Sequence, residues 1–260
     1  MTRRTLLTTA TATATATALA AARFRWPNGH RAAVSLTFDD ARLSQVDAGL
    51  PLFDKLGAKA TFYALPRSVE KRLDGWKKLV AAGHEIGNHS VVHPCTANYR
   101  VSLALEDFTL EKMDAELQQA STELRRLLGV TPVSFAYPCG QKFVGRGAGA
   151  RSYIPLVAKH FASGRGYLDE AANAPEVCDL AQLMGTGFDG LTFAQMKAHL
   201  DKAGKDGRWV IFAGHEIGQA AHQTTDVAAL TELVAYLKDP ANGFWLDTVA
   251  HIAGHIQRSR

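Results

Sequence analysis

The sequence has few cysteines, no long apolar run and almost no excess of either charge. Three of its 260 residues are cysteine, an odd number that cannot pair completely in an oxidising compartment. The formal net charge is +4, and two of the positive charges, Arg3 and Arg4, lie in a segment that we expect to be removed. The rest of the chain is close to neutral, which excludes an electrostatic case for binding nucleic acid or a membrane surface.

The N-terminus has the pattern of an export signal. Thr-Arg-Arg-Thr-Leu-Leu at 2–7 is a twin-arginine pattern, and the Ala/Thr run at 8–22 lacks the bulk of a membrane span. Ala-Leu-Ala at 18–20 and Ala-Ala-Ala at 20–22 both fit a cleavage site. We therefore predict a signal peptide over residues 1–22 and a bacterial protein exported by the twin-arginine route to the periplasm or beyond the cell. The alternative is a disordered low-complexity tail.

The remaining chain, residues 23–260, is typical of one globular α/β domain. It contains no linker-like stretch, and the whole sequence is 47% apolar and 21% charged. Predicted strands alternate with predicted helices, the strands at 33–38, 60–65, 85–88, 133–137, 209–213 and 244–247, the helices at 46–56, 69–82, 105–128, 153–161, 193–203, 227–237 and from 249 onwards. This order favours a distorted (β/α) barrel of about seven parallel strands over an open sheet, although periodicity does not separate the two. The glycine-rich segment 140–190 gives little further pattern.

Reactive polar residues follow four of the predicted strands. In barrels and open α/β sheets, functional sites gather at the C-terminal ends of the parallel strands. The residues that meet this criterion are Asp39, Asp40, His89, His93, Cys139 and His215. His84 precedes its strand, so it falls on the opposite edge and we expect it to be structural. The sequence thus predicts one polar site at one edge of the sheet.

Asp39 and Asp40 are adjacent carboxylates at the end of the first strand. Two such groups side by side are costly unless a cation or a proton separates their tasks. In metal-assisted hydrolysis one carboxylate binds the metal and the other accepts a proton from water. The alternative is a solvated turn that caps the next helix.

His89 and His93 are spaced so that both imidazoles can reach one metal ion. The spacing alone is weak evidence, because His251 and His255 repeat it with Asp247 four residues earlier. On a helix, however, Asp247 and His255 would be about 12 Å apart along the axis. We therefore interpret the second pair as ordinary residues of a terminal helix.

These segments together resemble the motifs of the polysaccharide deacetylases, the NodB-homology enzymes of carbohydrate esterase family 4. The similarity covers most of residues 32–257. The matching segments are Thr-Phe-Asp-Asp at 37–40, His-Ser-Val-Val-His-Pro at 89–94, Phe-Ala-Tyr-Pro-Cys-Gly at 135–140, Val-Ile-Phe-Ala-Gly-His at 210–215 and Phe-Trp-Leu-Asp-Thr at 244–248. The resemblance implies a NodB-like barrel and removal of acetyl groups from a glycan such as peptidoglycan or a chitin-type oligosaccharide.

The resemblance also implies a role for each candidate residue. Asp39 would be the catalytic base, and His215 the general acid. The ligands of a divalent metal, zinc first and cobalt, nickel or manganese otherwise, would be Asp40, His89 and His93. The backbone N–H of Cys139 would stabilise the oxyanion, and Tyr137 and Pro138 would line the substrate groove.

The chain departs from the family pattern at three points. Ala136 stands where the third motif commonly has an arginine that orients the base, and Cys139 stands where it usually has an aromatic residue. Arg146 and Arg165 are the candidates for a replacement guanidinium. The family's fourth motif, which carries an aspartate that adjusts the pKa of the acid histidine, has no clear match in this sequence. Asp169 and Asp179 are the two candidates for that aspartate.

Several alternatives remain open at the level of sequence. The same machinery serves amides and esters, so N-acetyl and O-acetyl groups both qualify. Related folds hydrolyse small cyclic amides or imides, and a third reading is a glycan-binding module that has lost catalysis. Cys95 and Cys139 both flank motifs, so a disulfide between them is a hypothesis, against three buried thiols. No oligomeric state is predicted.

Overall fold

The computed structural model describes residues 24–260, and the predicted signal peptide at 1–22 lies outside the described residues. The strands are β1 (Ala32–Asp39), β2 (Thr61–Ala64), β3 (Glu85–Asn88), β4 (Ser134–Ala136), β5 (Phe143–Val144), β6 (Arg151–Ser152), β7 (Ser163–Arg165), β8 (Thr186–Gly187), β9 (Trp209–Gly214), β10 (Glu216–Gly218), β11 (Thr224–Asp226) and β12 (Phe244–Leu246). The helices are α1 (Leu50–Leu56), α2 (Pro66–Val69), α3 (Leu73–Ala81), α4 (Leu110–Leu128), α5 (Ile154–His160), α6 (Phe193–Asp206), α7 (Val227–Lys238) and α8 (Val249–Ser259).

Eight of the strands form one curled parallel sheet. Seven follow one another in the order β7-β4-β3-β2-β1-β9-β8. The eighth, β12, pairs with the beginning of β1 on the same side as β2, which pairs with its end. Leu183 narrows the gap between the two end strands, β7 and β8. Its N–H donates to Gly164 O at 2.8 Å, and its carbonyl accepts from Gly166 N at 2.7 Å. The predicted distorted (β/α) barrel in a single domain is confirmed.

Strand β1 lies inside the sheet, between β2 and β9, and is buried along its whole length. Val34, Leu36 and Phe38 pack in the largest apolar cluster. Ala33 belongs to a second cluster, together with Trp209. A strand covered on both faces is expected to be rich in apolar residues and free of charge, and in β1 the first charged residue is Asp39 at its end.

Helix α4 shows how local sequence sets the boundaries of the elements. It buries Met113, Leu117 and Leu124 along one stripe. Its predicted end at Leu128 is confirmed, since the next residue, Gly129, takes the left-handed conformation with φ 73° and stops the helix. It begins later than predicted because the side chain of Thr109 accepts the N–H of Lys112 and caps the first turn.

Two strands of the barrel, β7 and β8, lie inside the segment that gave no clear pattern. They contain three and two residues and include Gly164 and Gly187. A strand that short, with glycine in it, has no apolar alternation to detect. Both strands end at the same edge of the sheet as β1, β3, β4 and β9, so they add residues to the predicted site.

Across residues 24–260, no helix is both long enough and apolar enough to cross a bilayer.

Candidate active site

Asp40, His89 and His93 point their ligand atoms at one another. Asp40 Oδ1 lies 3.5 Å from His89 Nε2 and 3.4 Å from His93 Nε2. All three ligand atoms fall within 4.8 Å of one another. One carboxylate oxygen and two imidazole nitrogens form a donor set that suits zinc and its divalent neighbours and leaves coordination positions open. The three residues therefore fit a divalent metal.

The backbone of this site is strained in a way that aims the ligands. Of the eight non-glycine residues with positive φ in the described chain, four lie in the motifs, namely Asp40, Ser90, His93 and Cys139, and a fifth, Ala41, directly follows the first motif. Local hydrogen bonds hold the histidine turn, since Asn88 Oδ1 accepts from Ser90 N at 2.7 Å and Ser90 Oγ accepts from His93 N at 3.0 Å. Backbone strain of this kind clusters at functional sites.

Contacts and burial favour the protonation states that a metal needs. The Nδ1 of His89 lies 2.8 Å from Ala136 O, and because a carbonyl only accepts, Nδ1 is the donor and Nε2 is the ring nitrogen that faces Asp40. Burial, and then the charge of His89, lower the pKa of His93 to about 4. Burial raises the pKa of Asp40, but its contacts with the two imidazoles outweigh it and hold the pKa well below its usual value. Neutral imidazoles and an ionised carboxylate are the binding forms.

Asp39 is held by a buried guanidinium that comes from β7, a strand that does not pair with β1. Arg165 Nη2 donates to Asp39 Oδ1, and the two residues are 0% and 3% exposed. Arg165 lies at the end of β7, in register with Ala136 of β4. The arginine missing from the third motif is therefore replaced from one strand further along the sheet. Arg146, the other candidate, forms an exposed pair with Asp107 at 2.8 Å.

Further contacts fix the Arg165 side chain and the Asp39 backbone. Arg165 Nη1 donates to Gly166 O at 2.7 Å, and its Cζ lies 4.8 Å from the centre of the Tyr63 ring. Gly185 makes the space for it, because a Cβ there would lie 2.6 Å from Arg165 Cδ. Gln45 Nε2 donates to the carbonyls of Asp39 at 2.6 Å and of His215 at 2.9 Å, which ties the two strand ends together.

His215 is held by Asp189, a residue that the sequence did not single out. His215 Nδ1 lies 2.7 Å from Asp189 Oδ2, and the His215 backbone N–H donates to Oδ1 at 3.1 Å. Burial lowers the pKa of His215, but the hydrogen bond to Asp189 and the charges of Asp39 and Asp40 outweigh it and raise the pKa above its usual value. The ring can therefore keep a proton on Nε2 while Nδ1 stays bound.

Neither aspartate suggested by the sequence contacts His215. Asp169 Oδ2 accepts from Gly185 N at 2.9 Å, and Asp179 Oδ1 accepts from Ala181 N at 3.0 Å. Both stabilise backbone turns. Asp189 follows the two-residue strand β8, so the strand-end criterion would have found it had that strand been recognised.

Cys139 is joined to Cys95 by a disulfide, with their Cα atoms 5.8 Å apart. The bridge suggested by the positions of the cysteines is thus present, and Cys178 is free. It links the loop after β3 to the loop after β4. Cys139 has φ 54°, and its backbone N–H donates to no other group within residues 24–260. The bridge holds that N–H beside the loop that carries His93.

Two predicted groove residues are buried instead. Tyr137 is 1% exposed, and its hydroxyl donates to Ala181 O at 2.7 Å. Its ring packs in an apolar cluster with Phe135 and Tyr153, and Pro138 is buried as well. Because both side chains are covered by the protein itself, they support the loop that carries Cys139 and do not line an open groove.

Three histidines outside the motifs, those considered in the sequence analysis, have structural contacts. His84 Nδ1 accepts from Ala60 N at 3.1 Å. In the terminal helix, His251 Nδ1 lies 3.1 Å from Asp247 Oδ1, and His255 Nε2 lies 3.2 Å from Arg25 O. These placements agree with their interpretation as ordinary residues.

Comparison with known proteins gives one family. The sequence profile described as polysaccharide deacetylase matches residues 15–146, about half of the chain. A peptidoglycan-N-acetylglucosamine deacetylase of Bacillus cereus is 31% identical over 115 residues, which are 43% of this chain. The aligned segments span 26%, 4% and 38% of the three curated relatives that match.

Solved structures share the fold. A Mycobacterium smegmatis protein described as a polysaccharide deacetylase has a TM-score of 0.66 at 18% identity, with 92% of this chain and 94% of that chain covered. Puue allantoinase has a TM-score of 0.65 at 16% identity, with 90% and 93% covered. At these identities the likeness concerns the fold alone.

Proposed function

Because the chain belongs to the polysaccharide deacetylase family, we propose that it is a divalent-metal-dependent hydrolase that removes acetyl groups from an extracytoplasmic glycan. N-acetyl groups are the first candidate and O-acetyl groups the second. The observation that carries the proposal is the convergence of a metal-ligand triad, a buried base and an acid histidine at one edge of the barrel. These are the separate roles that hydrolysis of an amide or ester requires.

Asp40, His89 and His93 are the proposed ligands, for zinc first and for cobalt, nickel or manganese otherwise. A divalent ion held there would supply Lewis acidity towards water and towards the acetyl carbonyl. The short Nδ1 contact of His89 with Ala136 O supports this assignment, since metal-bound histidines commonly donate their other N–H to a carbonyl or carboxylate.

Asp39 is the proposed base, and Arg165 is its positioning residue. Arg165 engages Oδ1 of the carboxylate, so Oδ2 is the atom that accepts a proton from the attacking water. The buried guanidinium fixes the orientation of the Asp39 carboxylate. With Asp40 assigned to the metal, the two adjacent carboxylates have different tasks.

His215 is the proposed general acid, and the Cys139 N–H the proposed oxyanion donor. Asp189 holds Nδ1 of His215 and stabilises the imidazolium, so Nε2 donates its proton to the leaving amine or alkoxide. The Cys139 N–H is free to donate to the oxygen of the tetrahedral intermediate. A fixed backbone donor of this kind reduces the charge reorganisation needed in the transition state.

Export to the periplasm or beyond the cell is part of the proposal. Its support is the twin-arginine pattern at 2–7. The disulfide between Cys95 and Cys139 adds to it, because structural disulfides persist in oxidising compartments.

Acetate release tests the function directly. The purified protein is incubated with chitooligosaccharides, peptidoglycan and acetylated xylan, with and without chelator, and with allantoin as a cyclic amide. We expect acetate from at least one glycan, loss of that activity in chelator and recovery on adding zinc. Ring opening of allantoin without acetate release would favour the cyclic-amide alternative, and tight glycan binding without turnover would favour a lapsed enzyme.

A further inference from the structure

A cleft of about 450 Å³ opens beside the proposed metal ligands and carries positive charge. Asp40 and His93 form part of its lining. Three other contributors are Arg67 of α2, Lys71 in the short 3-10 helix after it, and Arg100 in the loop beyond His93. We call Arg67, Lys71 and Arg100 the basic wall. All three side chains are exposed.

The charges of the basic wall are not neutralised by the protein. Within residues 24–260, none of the three side chains has an ion pair or a side-chain hydrogen bond, whereas the neighbouring Arg42 donates to Asp40 Oδ2 at 2.8 Å. The cleft contains two carboxylates, those of Asp40 and Glu216. Asp40 faces the histidines, and Glu216 accepts from Ser44 and lies 3.9 Å from Arg42. Three cations therefore remain without counter-charge.

This positive charge is local. The whole chain has 29 Lys and Arg against 25 Asp and Glu, so a cluster of three unpaired bases is not a consequence of overall composition. Like charges along one wall repel one another unless a ligand neutralises them. A cleft with low-dielectric walls and charge of one sign focuses the field and raises the local concentration of ligands of the opposite sign.

We propose that this cleft binds a glycan whose sugar next to the acetylated one carries a carboxylate. The inference rests on the proposed function and narrows its substrate class. The basic wall binds the carboxylate, and the adjoining sugar presents its acetyl group to the side of the cleft formed by Asp40 and His93. Arginine suits this task because its planar guanidinium matches a carboxylate in two-point contact. Uronic acids and the lactyl ether of muramic acid both offer that group.

Matched substrates separate charge from shape. One pair is an alternating N-acetylglucosamine–N-acetylmuramic acid tetrasaccharide and the same compound with its lactyl carboxylates converted to methyl amides. The other pair is acetylated glucuronoxylan and its carboxyl-reduced form. We expect kcat/KM to be roughly tenfold higher for the anionic member of at least one pair, as a few partly exposed ion pairs allow, and the ratio to shrink in 0.5 M salt. The pair that responds identifies the source of the carboxylate.

Charge-removal variants assign the effect to the basic wall. In R67Q/K71Q/R100Q the anionic-to-neutral ratio should fall to about one. The matched control K159Q/K202Q/R258Q removes the same charge from exposed residues of α5, α6 and α8 that do not line the cleft, and it should keep the wild-type ratio. Equal ratios in the wild type and the basic-wall variant would overturn the inference.

Binding separates this inference from the proposed function. Calorimetric titration of Asp39→Asn with both tetrasaccharides and with oligosaccharides of both xylan forms measures charge selectivity without turnover. Charge-selective binding by Asp39→Asn, together with no acetate release by the wild type, would contradict the function alone. Acetate release with no charge selectivity in binding or in rate would contradict the inference alone.

Discussion

Arg165 donates to the carboxylate of Asp39 from the strand position that lies in register with Ala136. The family pattern places the base-orienting arginine at the position of Ala136, and here the neighbouring strand supplies the same group. In adjacent parallel strands, residues in register present their side chains side by side at the same height. Placing the arginine at position 165 instead of 136 therefore moves its Cα by one strand spacing and keeps the guanidinium beside Asp39.

Arg165→Ala should lose turnover, and moving the arginine back should restore part of it. Removing one partner of a buried ion pair costs about 3–5 kcal/mol of stability, and it leaves Asp39 without its orienting group. We expect kcat to fall by roughly a hundredfold with a smaller change in KM. In A136R/R165A the guanidinium returns from the adjacent position, and kcat should rise well above that of Arg165→Ala.

The A136R/R165A variant distinguishes two roles for Arg165, which are orientation of the Asp39 carboxylate and general stabilisation of the fold. Both variants are compared by thermal unfolding as well as by acetate release. If A136R/R165A regained stability and no activity, the role of Arg165 would be structural. The single variant Ala136→Arg is the control, and we expect it to be destabilised because two guanidinium groups would crowd one buried carboxylate.

The positions of Arg165 and Asp189 show where sequence reasoning stops. Motifs at the ends of apolar strands were identified, because β1 and β9 are long enough to read as strands. Arg165 ends β7 and Asp189 follows β8, and each of these strands has too few residues to show a period. Their partners are 126 and 26 residues away along the chain. Such contacts depend on the order of strands in the sheet, which periodicity does not give.

The buried ring of Tyr137 illustrates a second limit. Its place within the third motif implied, by the family resemblance, a residue that lines the groove. Its side chain is buried by Phe135, two residues earlier, and by Tyr153 and the carbonyl of Ala181, which come from later segments of the chain. Sequence alone therefore predicted the loop and not the direction of its side chain.

Asp189→Asn should shift the pH dependence of the rate. Asp189 raises the pKa of His215, and asparagine would keep a hydrogen-bond acceptor while removing the charge. The acid form of His215 is present below its pKa and lost as pH rises through it. A lowered pKa therefore moves the alkaline limb of the kcat profile to lower pH.

Rate profiles of acetate release from pH 5 to 10 make this comparison. Asp179→Asn is the matched control, because Asp179 caps a turn and does not touch His215. Its alkaline limb should coincide with that of the wild type. An unchanged limb in Asp189→Asn would show that His215 does not set this part of the profile.

Removing the disulfide should lower stability and reduce the rate. The bridge closes a loop with a sequence separation of 44 residues, and constraint of the unfolded chain by such a loop is worth about 2–4 kcal/mol. C95S/C139S should unfold at lower denaturant concentration, and kcat should fall several-fold because the loop carrying the Cys139 N–H is less firmly held. Cys178→Ser serves as the control.

Thiol counting checks the premise of that comparison. Denatured wild-type protein should show one reactive thiol, that of Cys178, without reductant and three with it. Three free thiols in both conditions would show that the bridge does not form in solution.

The separate roles of Asp39 and Asp40 are the central claim, and a side-by-side measurement of metal content and acetate release tests it most directly. Asp39→Asn and Asp40→Asn are the same chemical change at adjacent positions. We predict that Asp39→Asn retains the divalent metal and loses turnover by roughly a hundredfold or more, as loss of a general base does, whereas Asp40→Asn loses the metal itself. Near wild-type acetate release by Asp39→Asn, or full metal retention by Asp40→Asn, would contradict the account.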